Sequence, residues 1–221
     1  STSRCCGRYG HCDLDANPKP RFDRIVMTER LVEAGLELIR SARANPRLRA
    51  HWRAAQIRNG LMVALLAHVP IRLKNFTSLT LHESFRRVGG RWWIVLGRAE
   101  TKGERADERL VPRHLNRAIA TYLTKARPIL LGGRGEFMVS ESTTCTVPDA
   151  LSGALWIGEK GDPLGYSAVE RAIMKTTRQS LGRALSPHDF RRCTATSARH
   201  HAGSEPNLAS GLLQHQARSV T

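Results

Sequence analysis

Apolar residues recur at helical spacing near the start of the chain. We predict that Thr28 caps a helix, because a threonine side chain can accept a bond from the first free N–H groups. The apolar positions that follow lie three or four residues apart: Leu31, Val32, Gly35, Leu36 and Ile39. Asn45-Pro46 ends this helix, since the residue before a proline disfavours helical backbone.

A second helix is predicted from about Arg47 into Leu66. Its apolar face is expected to comprise Leu48, Trp52, Ala55, Leu61, Met62 and Leu65. Pro70 then marks a break in the pattern.

The apolar period changes after this break. Residues Leu81 to Val88 and Arg91 to Gly97 are predicted to form two strands around a Gly89-Gly90 turn, a pair typical of hairpins. A polar loop leads to a short third strand, Arg109 to Val111, which Pro112 ends.

The second half of the chain returns to helical patterns. A helix is expected over His114 to Leu131, interrupted near Pro128, and residues 132 to 165 are expected to be irregular surface structure. That stretch contains two short apolar pieces, Phe137-Met138-Val139 and Leu155-Trp156-Ile157. Three more helices are predicted: one capped by Ser167 and running to about Leu181, one capped by Ser186 with Pro187 first, running from His188 to about His201, and one from Glu205-Pro206 to near Gln214.

These elements predict an α+β protein, mainly helical with a small three-stranded antiparallel sheet. Residues 1 to 24 are rich in Gly, Arg, Pro and Asp without apolar periodicity, so we interpret them as a leader or interdomain linker. Residues 25 to 221 form the predicted domain.

The net charge of the chain suggests what kind of partner it binds. Thirty-five Lys and Arg against nineteen Asp and Glu give a net charge of +16. Such a surplus favours a polyanionic partner, and we expect duplex DNA, because neutralising its phosphates releases condensed counterions. No apolar run has transmembrane length, so a membrane is not expected.

Five scattered cysteines suit a reducing cytoplasm, and the group Cys5, Cys6, His11 and Cys12 lacks a second ligand pair at zinc-finger spacing. No metal site is predicted.

Four segments carry side chains suited to phosphate chemistry. His188 and Arg191 lie three residues apart at the start of a helix, so both fall on one face beside its positive end. Arg72 follows an apolar helix and a break, and Lys102 lies between the second and third strands. His215 follows Leu212-Leu213-Gln214 at a predicted helix end. Each motif alone also fits an ordinary solvated side chain.

Taken together, the order and intervals of these positions resemble the catalytic domain of the tyrosine recombinase (phage integrase) family, over roughly residues 28 to 221. The resemblance implies a DNA breaking-rejoining fold. It implies that Arg72 and Arg191 hold the scissile phosphate, that Lys102 protonates the leaving 5′ oxygen, that His188 assists proton transfer, and that His215 bonds a phosphate oxygen. The product would be a 3′-phosphotyrosyl link, formed without metal or other cofactor.

The resemblance also implies how the protein works with its partners. A full-length protein would act as a homotetramer on duplex DNA, and this chain is expected to be a monomer off DNA. Its location would be the cytoplasm of a bacterium, at the nucleoid. Basic side chains outside the site would track the DNA: Arg86, Arg87, Arg91, Arg98, Arg105, Arg192 and Arg199.

Three positions depart from the family pattern. The nucleophilic tyrosine is expected about nine residues past His215, and the chain ends six residues past it, at Thr221. The chain's tyrosines stand elsewhere, at Tyr9, Tyr122 and Tyr166, and are not expected to attack the phosphate. This chain should therefore bind DNA without cleaving it. We expect that the sequence is truncated before the nucleophile, rather than that the protein is a natural pseudoenzyme. Asn75 replaces the usual acidic residue that supports the first arginine. Gln214 replaces the usual glycine before the histidine.

Other functions fit parts of the sequence. A DNA-binding protein of the same fold without catalysis would use the same basic residues. A helix-turn-helix regulator would use the two helices within residues 166 to 202, although the Arg178–Pro187 connection is long for that motif. An RNA-binding protein would be expected to carry an aromatic ribonucleoprotein signature, which the sequence does not show. A metalloenzyme would need ligand pairs at suitable spacing, and the adjacent His200 and His201 point in different directions on a helix.

Overall fold

The computed structural model of the chain describes residues 24–101, 105–132 and 153–202. The predicted helix of residues 205–214 and the apolar piece Phe137-Met138-Val139 lie outside these ranges, as does nearly all of the predicted leader. Within them, one apolar cluster extends along the chain from Leu31 to Cys193, and Val26 packs against it.

The predicted architecture, mainly helical with a small antiparallel sheet, is confirmed. The helices are α1 (Thr28–Ala44), α2 (Ala50–His68), α3 (Leu73–Thr77), α4 (Asn116–Thr121), α5 (Arg127–Leu130), α6 (Tyr166–Leu181) and α7 (Pro187–Ala202). The strands are β1 (Phe85–Val88), β2 (Arg91–Leu96) and β3 (Asp107–Leu110). Short 3₁₀ turns cover Arg98–Glu100 and Arg113–Leu115.

The sheet has the order β1-β2-β3, with both pairs antiparallel. Gly89 and Gly90 have φ angles of 56° and 74°, the positive values that a tight two-residue hairpin requires and that glycine adopts without steric cost. The third strand begins at Asp107, two residues earlier than predicted, because Asp107 pairs with Leu96 at the far end of β2. This shift places Asp107 on the sheet.

Helix α2 occupies the centre of the molecule. Nearly every residue from Ala54 to Ala67 is buried, and α1, α5, α6 and α7 all pack against it. Trp52, predicted for the apolar face, is instead 53% exposed, because the buried part of α2 begins two residues later, at Ala54.

Two glycines allow α1 and α2 to approach closely. A Cβ atom added at Gly60 would lie 2.5 Å from the carbonyl oxygen of Gly35, and one added at Gly35 would lie 2.5 Å from that of Gly60. Since real Cβ atoms do not come this near to a backbone oxygen, any larger residue forces the two helices apart.

The helix predicted over His114 to Leu131 is broken into pieces. Helix α4 passes into a π-helical turn, Tyr122–Ala126, and then into α5, so the predicted interruption near Pro128 is confirmed. Pro128 has no N–H to continue the regular ladder. Tyr122 is fully buried in this turn, as expected for a core tyrosine, and its hydroxyl donates to the Leu155 carbonyl at 2.7 Å.

The expectation of surface structure throughout residues 132 to 165 was wrong for Leu155, Trp156 and Ile157, which are buried in the core. Burying an indole is favourable only if its N–H is satisfied, and Trp156 Nε1 donates to the Phe76 carbonyl at 2.8 Å. Two buried arginines hold the backbone of this segment, Arg58 through the Ile157 carbonyl and Arg127 through that of Ala154.

The N-termini of the helices differ in whether the capping side chain comes from a neighbouring residue or from another helix. The Ser186 cap is confirmed: its hydroxyl accepts from the Asp189 N–H, and the Asp189 carboxylate accepts from the Ser186 N–H. The Thr28 cap was wrong, because α1 begins at Thr28 itself and its N–H donates instead to the Ser197 hydroxyl on α7, at 2.9 Å. The helix predicted to be capped by Ser167 begins at Tyr166, after Gly165.

Two histidines join the end of α2 to the turn before α4. His68 Nε2 and His114 Nε2 lie 2.7 Å apart, and one shared proton satisfies both. Burial, and to a smaller extent the nearby His114, lower the pKa of His68 to about 4, while Glu29 opposes the shift.

Replacing Gly60 with alanine should lower the free energy of unfolding by about 1–3 kcal/mol, since the new methyl group meets the Gly35 carbonyl oxygen. Urea denaturation measures the change. The matched control is Gly97→Ala, where φ is −67° and the nearest atom is 3.5 Å away, so stability should change little. Equal effects at both glycines would contradict the close packing of α1 on α2.

His68 should make stability depend on pH. Below pH 6.5 the unfolded chain protonates His68 while the folded protein does not, so the free energy of unfolding should fall as pH drops from 6.5 toward 4. Denaturation at several pH values should show this slope shrinking in His68→Asn. The control is His82→Asn at an exposed position with φ 67°, which asparagine tolerates. An unchanged slope in the His68 variant would refute the assignment.

Candidate functional site

Arg72 and Arg191 line the same small cavity, with a volume of about 10 Å³, room for about one water molecule. The structure therefore brings together the two guanidinium groups that the sequence places far apart. The other lining residues are Ile71, Asn75, Leu96, Thr101, Asp107 and Arg109.

The end of α2 positions both arginines. Arg72 is the exposed residue just before α3, in extended backbone that follows Pro70. Arg191, half-buried on α7, donates through Nη1 to the Pro70 carbonyl. One turn later on α7, the Thr194 hydroxyl donates to the Ala67 carbonyl at 3.2 Å. Helix α7 is thus docked on the carbonyls at the end of α2, next to the connection that carries Arg72.

Electrostatics in the cavity favour an anion. Burial lowers the pKa of Arg191, and the positive charges of Arg72 and Arg109 lower it further, while Asp107 opposes the shift. Guanidinium groups stay protonated under these conditions, so their mutual repulsion is a cost that an anion between them relieves.

Sequence reasoning missed Arg109 and Asp107 as site residues. Arg109 Nε donates to both carboxylate oxygens of Asp107, at 3.0 and 2.9 Å, and both side chains are nearly buried. The register pairs Asp107 with Leu96 and Arg109 with Ile94, so both lie on the inner face of the sheet. Asp107, Arg109 and the buried Val111 lie at every second position of the chain. This spacing could have predicted that their side chains share the inner face of the sheet.

Two polar side chains hold the backbone at either end of the segment that contains Lys102. Asn75 is buried and its amide donates to the Glu100 carbonyl at 3.0 Å, so this position anchors the loop rather than carrying a charge. The Thr101 hydroxyl donates to the Arg105 carbonyl at 2.6 Å and accepts from the Arg105 N–H at 3.1 Å. Lys102 itself lies outside the described residues.

His188 is exposed in the first turn of α7 and is not among the residues that line the cavity. The positive end of α7, expected to add to the phosphate site, is already engaged by Asp189, whose buried carboxylate accepts from the Ser186 hydroxyl at 2.7 Å. Arg24 lies 3.8 Å from the same carboxylate. His215 lies outside the described residues.

The described tyrosines differ in exposure. Tyr122 is fully buried, and burial raises its pKa to about 12, which makes it a poor nucleophile. Tyr166 is 52% exposed at the first position of α6. Tyr9 lies outside the described residues.

The predicted DNA-tracking arginines are at the surface but do not form one face. Alternation along the hairpin puts Arg86 and Arg91 on the outer face of the sheet and Arg87 on the other. Arg98 and Arg105 are exposed near the end of the sheet, beside the loop. On α7, half-buried Arg192 and exposed Arg199 lie seven residues apart and share a side of the helix that Arg191 does not.

No protein-family model, no curated protein and no solved structure matches this chain. Among the described helices, none combines the length and the apolar character needed to cross a membrane. Within the same residues, no three His, Cys, Asp or Glu side chains are grouped so that they could hold a metal ion.

Replacing Thr101 with valine should loosen the Lys102 segment, because both Arg105 backbone bonds are lost while side-chain shape is kept. Trypsin cuts after Lys102 and Arg105, so cleavage there should accelerate several-fold over wild type, as followed by mass spectrometry. Thr77→Val is the control, since the Thr77 hydroxyl only bonds back to Lys74 within α3. Identical cleavage rates in the two variants would show that Thr101 does not hold the loop.

Proposed function

We propose that this chain supplies the phosphate-holding site of a site-specific DNA recombinase, which cuts and rejoins duplex DNA through a 3′-phosphotyrosyl intermediate. The observation that carries the proposal is the meeting of Arg72 and Arg191 in one cavity. The contact that fixes Arg191 beside the Arg72 connection joins residues 121 positions apart, so a local motif does not explain it.

The chemistry of the cavity supports this proposal. Arginine forks match the geometry of phosphate oxygens and neutralise the charge that develops on them during transfer. A net charge of +16 supplies the attraction for a polyanion as long as DNA. Arg98 and Arg105, exposed beside the loop next to the cavity, would contact backbone phosphates near the reacting one.

In the proposed reaction a tyrosine oxygen attacks the phosphorus atom and the 5′ oxygen of the DNA leaves. Arg72 and Arg191 hold the non-bridging oxygens, and Lys102 gives its proton to the leaving oxygen. His188 is placed at the solvent edge of α7, where it would assist the tyrosine proton, and His215 would bond a phosphate oxygen. The attacking tyrosine would come from a position after His215, since neither of the two described tyrosines, the buried Tyr122 and Tyr166 at the start of α6, lines the cavity. Rejoining reverses the same steps, so the reaction needs no ATP.

The alternative is a protein of the same fold that binds DNA without cutting it. The two functions differ in whether a covalent protein–DNA adduct forms. A parent protein that carries a tyrosine about nine residues past His215 should form a covalent adduct with its own site in the presence of EDTA, and Arg191→Ala should abolish it. Tight binding with no adduct under any condition would favour the alternative.

The chain should bind duplex DNA with a steep dependence on salt. Fluorescence anisotropy with a labelled duplex should give a log affinity that falls linearly with log salt, and Arg191→Gln should weaken binding and reduce the slope by about one phosphate contact. Arg178→Gln, at an exposed position of α6, is the matched control. Salt-independent binding, or equal effects of the two variants, would overturn the proposed phosphate site.

A further inference from the structure

Three guanidinium groups and one carboxylate share the cavity, and this imbalance needs an explanation. Arg72, Arg109 and Arg191 contribute three positive charges to its lining, and Asp107 is the only acidic side chain among the described lining residues. Three cations gathered around so small a space repel one another. Something in the folded protein must hold them there before any anion arrives.

Asp107 is built to hold one of them. It is 7% exposed, and both of its carboxylate oxygens accept from Arg109 Nε. The two residues lie two positions apart on the inner face of β3, so the strand itself sets their separation. A pair on a paired strand loses little side-chain freedom when it forms, which makes it a rigid support.

Asp107 also acts on Arg191, which lines the same cavity. Arg191 comes from α7 and is fixed there by the Pro70 carbonyl, and the negative charge of Asp107 favours the charged form of its guanidinium. The carboxylate therefore offsets part of the repulsion between Arg109 and Arg191. The uncharged Asn75, which lines the same cavity, does not share this task.

We infer that Arg109 is a third phosphate-holding arginine and that Asp107 is the positioning residue that orients it. The inference rests on the proposed function, because it assigns further residues to the same phosphate. Arg109 would donate, with Arg72 and Arg191, to a non-bridging oxygen that reaches into the cavity, which has room for about one oxygen atom. Asp107 would not touch the phosphate. It acts through Arg109 by fixing the direction of the guanidinium plane.

A double-mutant cycle on anion binding separates positioning from plain charge. Inorganic phosphate is the probe, titrated into the chain and followed by calorimetry. Arg109→Gln should weaken phosphate affinity by about tenfold. Asp107→Asn should also weaken it, by about threefold or more, although it removes a negative charge that repels phosphate. In the Arg109→Gln background, Asp107→Asn should no longer weaken binding, since the residue it acts through is gone.

The matched control is Glu108→Gln, which removes the same charge one residue along β3 from an exposed, outward-facing position. It should leave phosphate affinity unchanged or slightly tighter. Circular dichroism melting of each variant shows that it is folded at the titration temperature. Arg109→Lys keeps the charge without the Nε bond and should recover only part of the lost affinity, which a merely structural role would not predict.

Two results would overturn the inference: tighter phosphate binding in Asp107→Asn, or equal effects of this change with and without Arg109. A parallel titration with duplex DNA separates it from the proposed function. If phosphate affinity depends on Asp107 and Arg109 as described while duplex DNA does not bind, the inference stands and the recombinase proposal fails. If DNA binds with the expected salt dependence while the cycle shows no coupling, the reverse holds.

Discussion

The enclosure of α2 is the constraint on which the rest of this structure depends. Its buried stretch from Ala54 to Ala67 has protein on every side, so each neighbouring helix is placed by the surface it must cover. The carbonyls of Ala67 and Pro70, where the helix ends, receive bonds from α7. The position of Arg191 relative to Arg72 is therefore a consequence of how tightly α2 is packed.

Packing of this kind can hold side chains of like charge close together, although their repulsion would separate them in an unfolded chain. The cavity holds like-charged side chains at a cost in solvation and repulsion, which the lowered pKa of Arg191 reports. That cost is met by the apolar core and by the Asp107–Arg109 pair on the sheet. A preorganised cluster is useful to a phosphate-binding protein, because its donors need little rearrangement when the anion arrives.

Local signals in the sequence predicted what local physics controls. The Gly89-Gly90 hairpin, the Ser186 cap and the helical period of α1 each depend on backbone preferences within a few residues. The failures share a different cause. Thr28 does not cap α1 because Ser197 from α7 takes its N–H, and Leu155-Trp156-Ile157 are buried because Arg58, Arg127 and Phe76 satisfy the polar groups of that segment. Each partner is remote in sequence.

The sequence by itself determined the kinds of element, their order and the net charge of +16, and it singled out Arg72 and Arg191 as residues to follow. Only the tertiary structure decided that Arg72 and Arg191 face one cavity, that Asp107 and Arg109 join them, and that His188 stays at the solvent edge. The physical reason is that period and capping act over one or two turns of chain, whereas a site made of converging charges exists only when distant segments are packed against the same helix.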